Sequence, residues 1–411
     1  MHIGAVTRCQ ICGASSLEMV LSLGNQPIVQ NYLTAKELVE AEATYPLAMV
    51  RCTRCELLQL NYVVDPKAVF PNKYPYRSGL TLMLIRNFEQ LATTLMDAGY
   101  YKQDDLIVDI GSNDGTLLKP FKARGARVAG VEPTNAAKDA NRAKIPTLQE
   151  FFSASSVKKI TKKYGKAQVV TATNVFAHIS DTNTLTKNIK ALMARDGVFV
   201  SESQYVGDIF HKLEFDTIYH EHLRFYALKP LIHLFAAHGM SIVDAERIGA
   251  AGGSIRVFAK IGKHPMSKRG KELMAAEVKA GMYNTKKLKE FAAHVHGAKN
   301  DLMALLLKLK KEGKTIAGLT SSARSNTLLG FAHIDNTLLD FAGEKTGSPK
   351  IGLYTPGTHV PVVDESEILK RRPDYLLMLS WHIAYDLIPI MKKKGYKGKF
   401  IIPLPTPKIV Q

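Results

Sequence analysis

Apolar positions along this chain of 411 residues follow two rhythms. Between about 81 and 98, Leu82, Ile85, Phe88 and Leu95 recur at helical spacing, as in an amphipathic helix. Residues 106–110 then read Leu-Ile-Val-Asp-Ile, a short and nearly all-apolar run that suits a strand buried on both faces of a parallel sheet. It leads into Gly111-Ser112-Asn113-Asp114-Gly115 and a helical run from about Thr116. Further strands are expected at 127–131, 168–172 and 197–201. Strand, glycine turn and helix in this order open a nucleotide-binding α/β domain. The C-terminal third alternates again. Strands are expected at 315–319 and 375–379, around Gly352 and Pro356-Gly357-Thr358-His359. Gly252-Gly253 and Arg256 precede a lysine-rich helical stretch near 266–312, which reads as the hinge into that part.

The length exceeds one ordinary core and points to two or three domains. Apolar and charged fractions are those of a chain that folds throughout. No run of roughly 18 apolar residues marks a membrane span. The N-terminal residues lack a secretory hydrophobic segment, so a cytoplasmic enzyme is the expectation. Lys and Arg exceed Asp and Glu by 18, which favours acidic partners. The lysines are scattered, however, with only short clusters at 158–159, 162–163 and 392–394. A solvated basic surface fits this better than a nucleic-acid site, which has no motif behind it.

The four cysteines form two pairs, Cys9-Gln10-Ile11-Cys12 and Cys52-Thr53-Arg54-Cys55. Each pair places two thiolates on one turn, and two such knuckles supply the four sulfurs of a zinc site. Gly13 can take the left-handed conformation that such a turn needs. Two disulfides fit poorly with a cytoplasmic chain. Four protein ligands leave no open position, so the metal is expected to be structural. Farther on, Tyr74 and Tyr76 flank Pro75 ahead of Arg77-Ser78-Gly79, a loop able to line a pocket.

The G-x-G-x-x-G dinucleotide fingerprint is not met, because glycines stand only at 111 and 115 of the turn. Apolar-Asp-apolar-Gly-x-x-x-Gly fits S-adenosylmethionine better, since no pyrophosphate needs cradling. Asp109, Gly111, Asn113 and Asp114 are therefore the candidate cofactor loop, with Asn113 and Asp114 suited to the methionine moiety. Glu132 ends the second strand, where an acidic residue accepts ribose hydroxyls. Asn174, His178 and Gln204 follow later strands and are expected in the same crevice, because ligands of open α/β sheets sit at the carboxyl ends.

Tyr219-His220-Glu221-His222 packs four proton-active side chains together. Two histidines and a carboxylate can bind metal, but the spacing differs from the helical H-E-x-x-H arrangement. The other reading is a proton-transfer cluster, since histidine titrates near neutrality. A helix would put Tyr219 and His222 on one face, and an extended strand would pair His220 with His222. The pattern alone leaves both open.

Taken together, the paired C-x-x-C knuckles, V-D-I-G-S-N-D-G-T-L-L, N-V-F-A-H-I, E-F-D-T-I-Y-H-E-H-L, G-G-S-I-R-V-F and P-G-T-H-V-P resemble, in order, the sugar C-methyltransferases acting on nucleotide-linked keto-deoxysugars. The resemblance implies an α/β protein in three parts: a zinc-binding domain at 1–70, a central Rossmann-like S-adenosylmethionine methyltransferase domain at 71–262, and a C-terminal Rossmann-like domain at 263–411. It implies a base that removes the proton next to the ketone, at C3 of a 4-keto-6-deoxysugar, and an enolate carbon that takes the methyl. By residue, His222 matches the base, Tyr219 the assisting tyrosine, Glu221 the supporting acid and His178 a histidine near the reaction centre. Tyr74 and Tyr76 fall where the family lines its substrate pocket. The turn Ala323-Arg324-Ser325-Asn326 departs from the family's Ala-Lys-Gly-Asn. Ser325 weakens the case for close phosphate approach, while Arg324 and Asn326 remain candidates for the substrate's nucleotide. The expected partners are a nucleotide-linked keto-sugar, with no nucleic acid and no membrane, and a monomer is favoured. The rival readings are a sugar O-methyltransferase on the same fold and a basic zinc protein that binds nucleic acid.

Overall fold

The computed structural model describes residues 3–69, 77–80 and 82–411. Tyr74 and Tyr76 lie outside the described residues. The first unit is a four-stranded antiparallel sheet in the order Arg224–Phe225, Leu58–Leu60, Thr44–Cys52, Leu17–Pro27. Its edge strand comes from far along the sequence, directly after the Tyr219–His222 motif. That pairing ties the motif to the cysteine-bearing sheet.

The central sheet has seven strands. Leu106–Ile110 lies between Arg127–Val131 and Ala167–Thr173, and Thr147–Leu148 and Met193–Gln204 extend the two sides in parallel. Ser254–Ile261 and Met240–Ile248 complete it as an antiparallel hairpin, with Ser254–Ile261 wedged against Met193–Gln204. The reversed strand separates this order from the dinucleotide-binding arrangement, in keeping with the unmet glycine fingerprint. Every residue of Leu106–Ile110 is buried, Asp109 included, as expected for a central parallel strand.

Leu82–Asp97 is the expected helix, but its buried stripe is Leu84, Phe88, Leu91 and Leu95. Leu82 is 71% exposed. Phe88 and Leu95 set the phase correctly, and Leu84 and Leu91 complete their row; Leu82 and Ile85 fall to its flanks. Burying each such side chain contributes about 2 kcal/mol. The lysine-rich stretch is two helices, Lys268–Lys279 and Thr285–Lys311. The C-terminal sheet runs Val362–Asp364, Ala342–Glu344, Ile316–Leu319, Tyr375–Met378, Lys399–Ile402, Lys408–Val410, parallel except for the last strand. No helix among the described residues is long and apolar enough to cross a membrane.

Candidate active site

The four cysteine sulfurs lie within 4.8 Å of one another, with Cys9–Cys55 at 3.4 Å and Cys12–Cys52 at 3.5 Å. These separations are far beyond a disulfide bond and near the edge of about 3.8 Å that a tetrahedral ZnS4 centre requires. The two knuckles share one backbone device. The residue after each second cysteine is left-handed, Gly13 at φ +71° and Glu56 at +67°, and its amide donates to the carbonyl of the first cysteine. The cysteines therefore fit zinc by donor type, number and spacing. Among the described residues, no other group of three or more potential ligands comes together, so the metal reading of the histidine motif fails.

The cofactor loop is shaped by steric limits. Gly111 has φ +69°, and a Cβ there would sit 2.4 Å from Val175 Cγ2. Gly111 thus lets the turn at 174–178 settle on the loop. Asn113 and Asn174 are both left-handed, at φ +48° and +55°, a region that asparagine tolerates. Glu132 is buried, accepting from Asn113 N at 3.0 Å and Thr134 N at 2.8 Å. Each oxygen spends one lone pair and keeps another for a ribose hydroxyl. Asp109 accepts from Thr171 Oγ1 at 2.7 Å, and burial raises its carboxyl to about 7. Asn135 Oδ1 and Gln204 Oε1 are buried with no hydrogen-bond partner. Acceptors at the carboxyl ends of these strands fit the donors of S-adenosylmethionine's ribose, adenine and amino groups. Asn113 Oδ1 and Asp114 Oδ2 are instead engaged by the amides of Ser78 and Gly79, each at 3.0 Å. Segment 77–80 is thereby latched onto the loop, a contact without a signal in the sequence pattern.

Residues 219–222 are neither helix nor strand. They form a turn in which His222 N donates to Tyr219 O at 2.8 Å. The turn still brings Tyr219 and His222 together, with ring centroids 4.0 Å apart. His220 is sent the other way, into a buried edge contact with Tyr45. His178 meets His222 edge-on at 5.0 Å, and Leu223 N donates to Ala177 O at 3.1 Å. Glu221 is buried in the same turn. His222 Nδ1 lies 2.7 Å from the Thr217 carbonyl. A carbonyl only accepts, so Nδ1 carries the proton and Nε2 the lone pair. Burial pushes the His222 pKa down to about 4, and burial, followed by His222 and Arg224, pushes His178 to about 3. Both rings are neutral at pH 7.

Arg224 was not singled out by the sequence pattern, yet it is fully buried. Its guanidinium donates to Gln10 Oε1 in the first knuckle and to the carbonyls of Ile179 and Ser180, the last at 3.3 Å. With Leu60 N donating to Leu223 O at 2.9 Å, it braces both histidine-bearing turns against the cysteine domain. An arginine directly after a catalytic-looking motif is the one hint the sequence carries.

The turn at 323–326 corrects an expectation. Arg324 does not stand free for a phosphate: it grips Asp216 with two hydrogen bonds, Nε at 3.1 Å and Nη2 at 2.8 Å. Asn326 Nδ2 donates to the Val29 carbonyl at 2.7 Å. Ser325 has a definite role. Its hydroxyl and that of Ser322 form a reciprocal cap on helix Ala323–Ala332, and the Ser325 hydroxyl satisfies the Ser322 amide that a glycine at 325 would leave to a ligand. Gln204 Nε2 is turned to Glu214 Oε2 at 3.3 Å.

A methyltransferase domain family matches residues 83–245, and the geometry of the glycine loop, Glu132 and the reversed sheet hairpin agrees: this is an S-adenosylmethionine-dependent methyltransferase. A zinc binding domain family matches residues 9–70, and the C-methyltransferase C-terminal domain family matches 249–405. The C-methyltransferase NovU of Streptomyces niveus is 30% identical over 409 residues, covering 98% of this chain and 97% of that protein. The chain belongs to the C-methyltransferase family. Among solved structures, the magnesium protoporphyrin IX methyltransferase ChlM of Synechocystis PCC 6803 with bound SAM is 13% identical, covering 44% of this chain and 81% of that one, at a TM-score of 0.34. The 1,6-didemethyltoxoflavin-N1-methyltransferase of Burkholderia thailandensis is 15% identical, covering 44% and 78%, also at 0.34.

Proposed function

We propose that the chain methylates a carbon next to the ketone, at C3, of a nucleotide-linked 4-keto-6-deoxysugar, with His222 as general base. The carrying observation is the 2.7 Å contact from His222 Nδ1 to Thr217 O, which leaves Nε2 as the proton acceptor. Nε2 takes the proton, the C–H electron pair becomes the enolate double bond, and negative charge moves to the ketone oxygen. Tyr219, beside His222, is the donor for that oxygen; His178 and buried Glu221 complete the polar surround. General base catalysis of this kind supplies roughly 10²–10⁴-fold. Bound at Asp109, Gly111, Glu132 and Asn174, with Asn113 and Asp114 holding the loop against segment 77–80, S-adenosylmethionine supplies a methyl group already activated on a sulfonium. On this reading the ends of the parts fall near 70 and 262. Ser254–Ile261 supports the second boundary, since it pairs into the central sheet.

The test is hydrogen exchange. With adenosylhomocysteine in place of the methyl donor, the enzyme should wash deuterium into the carbon beside the ketone, and His222→Gln should abolish this. A variant that exchanged and methylated at the normal rate would remove His222 from the role. Mass spectrometry over a panel of nucleotide-linked 4-keto-6-deoxysugars identifies the acceptor. Methylation at oxygen would overturn the carbon assignment.

A further inference from the structure

The base is held from the far side by residues of the C-terminal part. Asp216 is fully buried in the single turn Phe215–Thr217. Both its oxygens are taken by side chains more than a hundred positions away. Arg324 supplies the two-pronged contact, and Trp381 Nε1 donates to Asp216 Oδ2 at 2.8 Å. The guanidinium lies over the Trp381 ring, 5.4 Å from its centroid, and Nη2 is 3.7 Å from Glu214 Oε2. Phe215 of the same turn packs edge-on against Phe331 of the Arg324 helix, with centroids 5.3 Å apart. The next residue, Thr217, offers the carbonyl that fixes the His222 tautomer. Within the turn, Thr217 N and Oγ1 both donate to Glu214 O, at 3.1 and 2.7 Å. Asp216 and the Thr217 carbonyl therefore move as one body.

We propose that Arg324, assisted by Trp381, is a positioning residue for the reaction: by clamping Asp216 it sets the Thr217 carbonyl and so the tautomer and aim of His222. The residue type at 324 has a specific consequence. The planar fork binds both carboxylate oxygens at once, which an ammonium does not do. The C-terminal part then acts on the chemistry itself. The charges facing His222 agree: Arg324 lowers its proton affinity, after burial and against the Thr217 contact, while His178 and Tyr219 flank the ring.

The proposal rests on His222 as the base, so its test includes a readout independent of turnover. In protein labelled with ¹⁵N-histidine, wild-type His222 should show the Nδ1–H tautomer. Arg324→Met should give a mixture of tautomers, a fall in kcat of up to about 100-fold, a KM for the sugar nucleotide within a few-fold of wild type, and an acid limb moved to higher pH. Arg324→Lys should recover part of kcat. Trp381→Phe removes one donor to Asp216 while leaving both charges, and serves if Arg324→Met does not fold. It should lower kcat several-fold at unchanged KM. A raised KM at unchanged kcat would make Arg324 a substrate contact and overturn the proposal. So would an unaltered His222 tautomer in both Arg324→Met and Trp381→Phe. Failure of the base assignment itself looks different: His222→Gln would then keep deuterium exchange while the Arg324 variants still altered the tautomer.

Discussion

Gly111→Ala isolates the close approach that joins the cofactor loop to the His178 turn. Two costs add. A side chain at φ +69° carries about 1–2 kcal/mol. The new methyl would also lie 2.4 Å from Val175 Cγ2 and 2.9 Å from Cγ1, and relieving such overpacking costs about 1–3 kcal/mol. The sum is about 2–5 kcal/mol, enough to lower the melting temperature by several degrees in a domain of this size. Gly99 is the control. It has φ +72° with nothing within 4 Å of an added Cβ, so Gly99→Ala should cost only the first amount. Relief of the clash must displace Val175, and with it Asn174 and His178. Gly111→Ala should therefore bind adenosylhomocysteine at least tenfold more weakly by calorimetry and lose kcat, while Gly99→Ala changes neither. Equal destabilisation by the two substitutions, with equal cofactor affinity, would refute the argument.

Other expectations concern the metal, the ribose site and pH. Chelation of zinc, or Cys52→Ser, should lower kcat by loosening the turns that Arg224 and the Arg224–Phe225 edge strand brace; metal analysis alongside circular dichroism and activity checks this, and full activity in metal-free protein would contradict it. Glu132→Ala strands the Asn113 and Thr134 amides and removes the ribose acceptor, so adenosylhomocysteine affinity should fall roughly 10- to 100-fold, since one lost charged hydrogen bond is worth about 1.5–3 kcal/mol. Histidines 178, 220, 222 and 382 all have pKa values lowered chiefly by burial, to between about 3 and 4. Below about pH 6.5 the unfolded chain binds protons that the folded one refuses, so stability is whole above 6.5 and is lost as pH falls towards 4. Buried His220 alone accounts for about 3 kcal/mol of that loss. Urea unfolding at pH 7, 6 and 5 should show it, with a smaller drop in His220→Phe; a flat profile would contradict the burial argument.

Much of the architecture follows from local chemistry that needs no partner. A five-residue apolar run before Gly111 specifies a buried parallel strand, and Glu132 lands at the end of the next strand because one helix and one strand consume a fixed length of chain. The cysteine pairs specify their own knuckles, since each turn closes on itself. Local pattern offered Tyr219 with His222 on a helix or His220 with His222 on a strand and did not choose; a turn brings Tyr219 and His222 together. What it did not reach is every contact between distant segments. Arg324 reads as a phosphate ligand until Asp216, 108 positions earlier, is folded against it. Asn113 and Asp114 read as cofactor ligands until Ser78 and Gly79 engage them. Arg224 is an ordinary charge until Gln10 and Ile179 surround it. Hydrogen-bond capacity belongs to the residue and is legible one position at a time. Its partner is chosen by how the sheets pack, which depends on the whole chain at once.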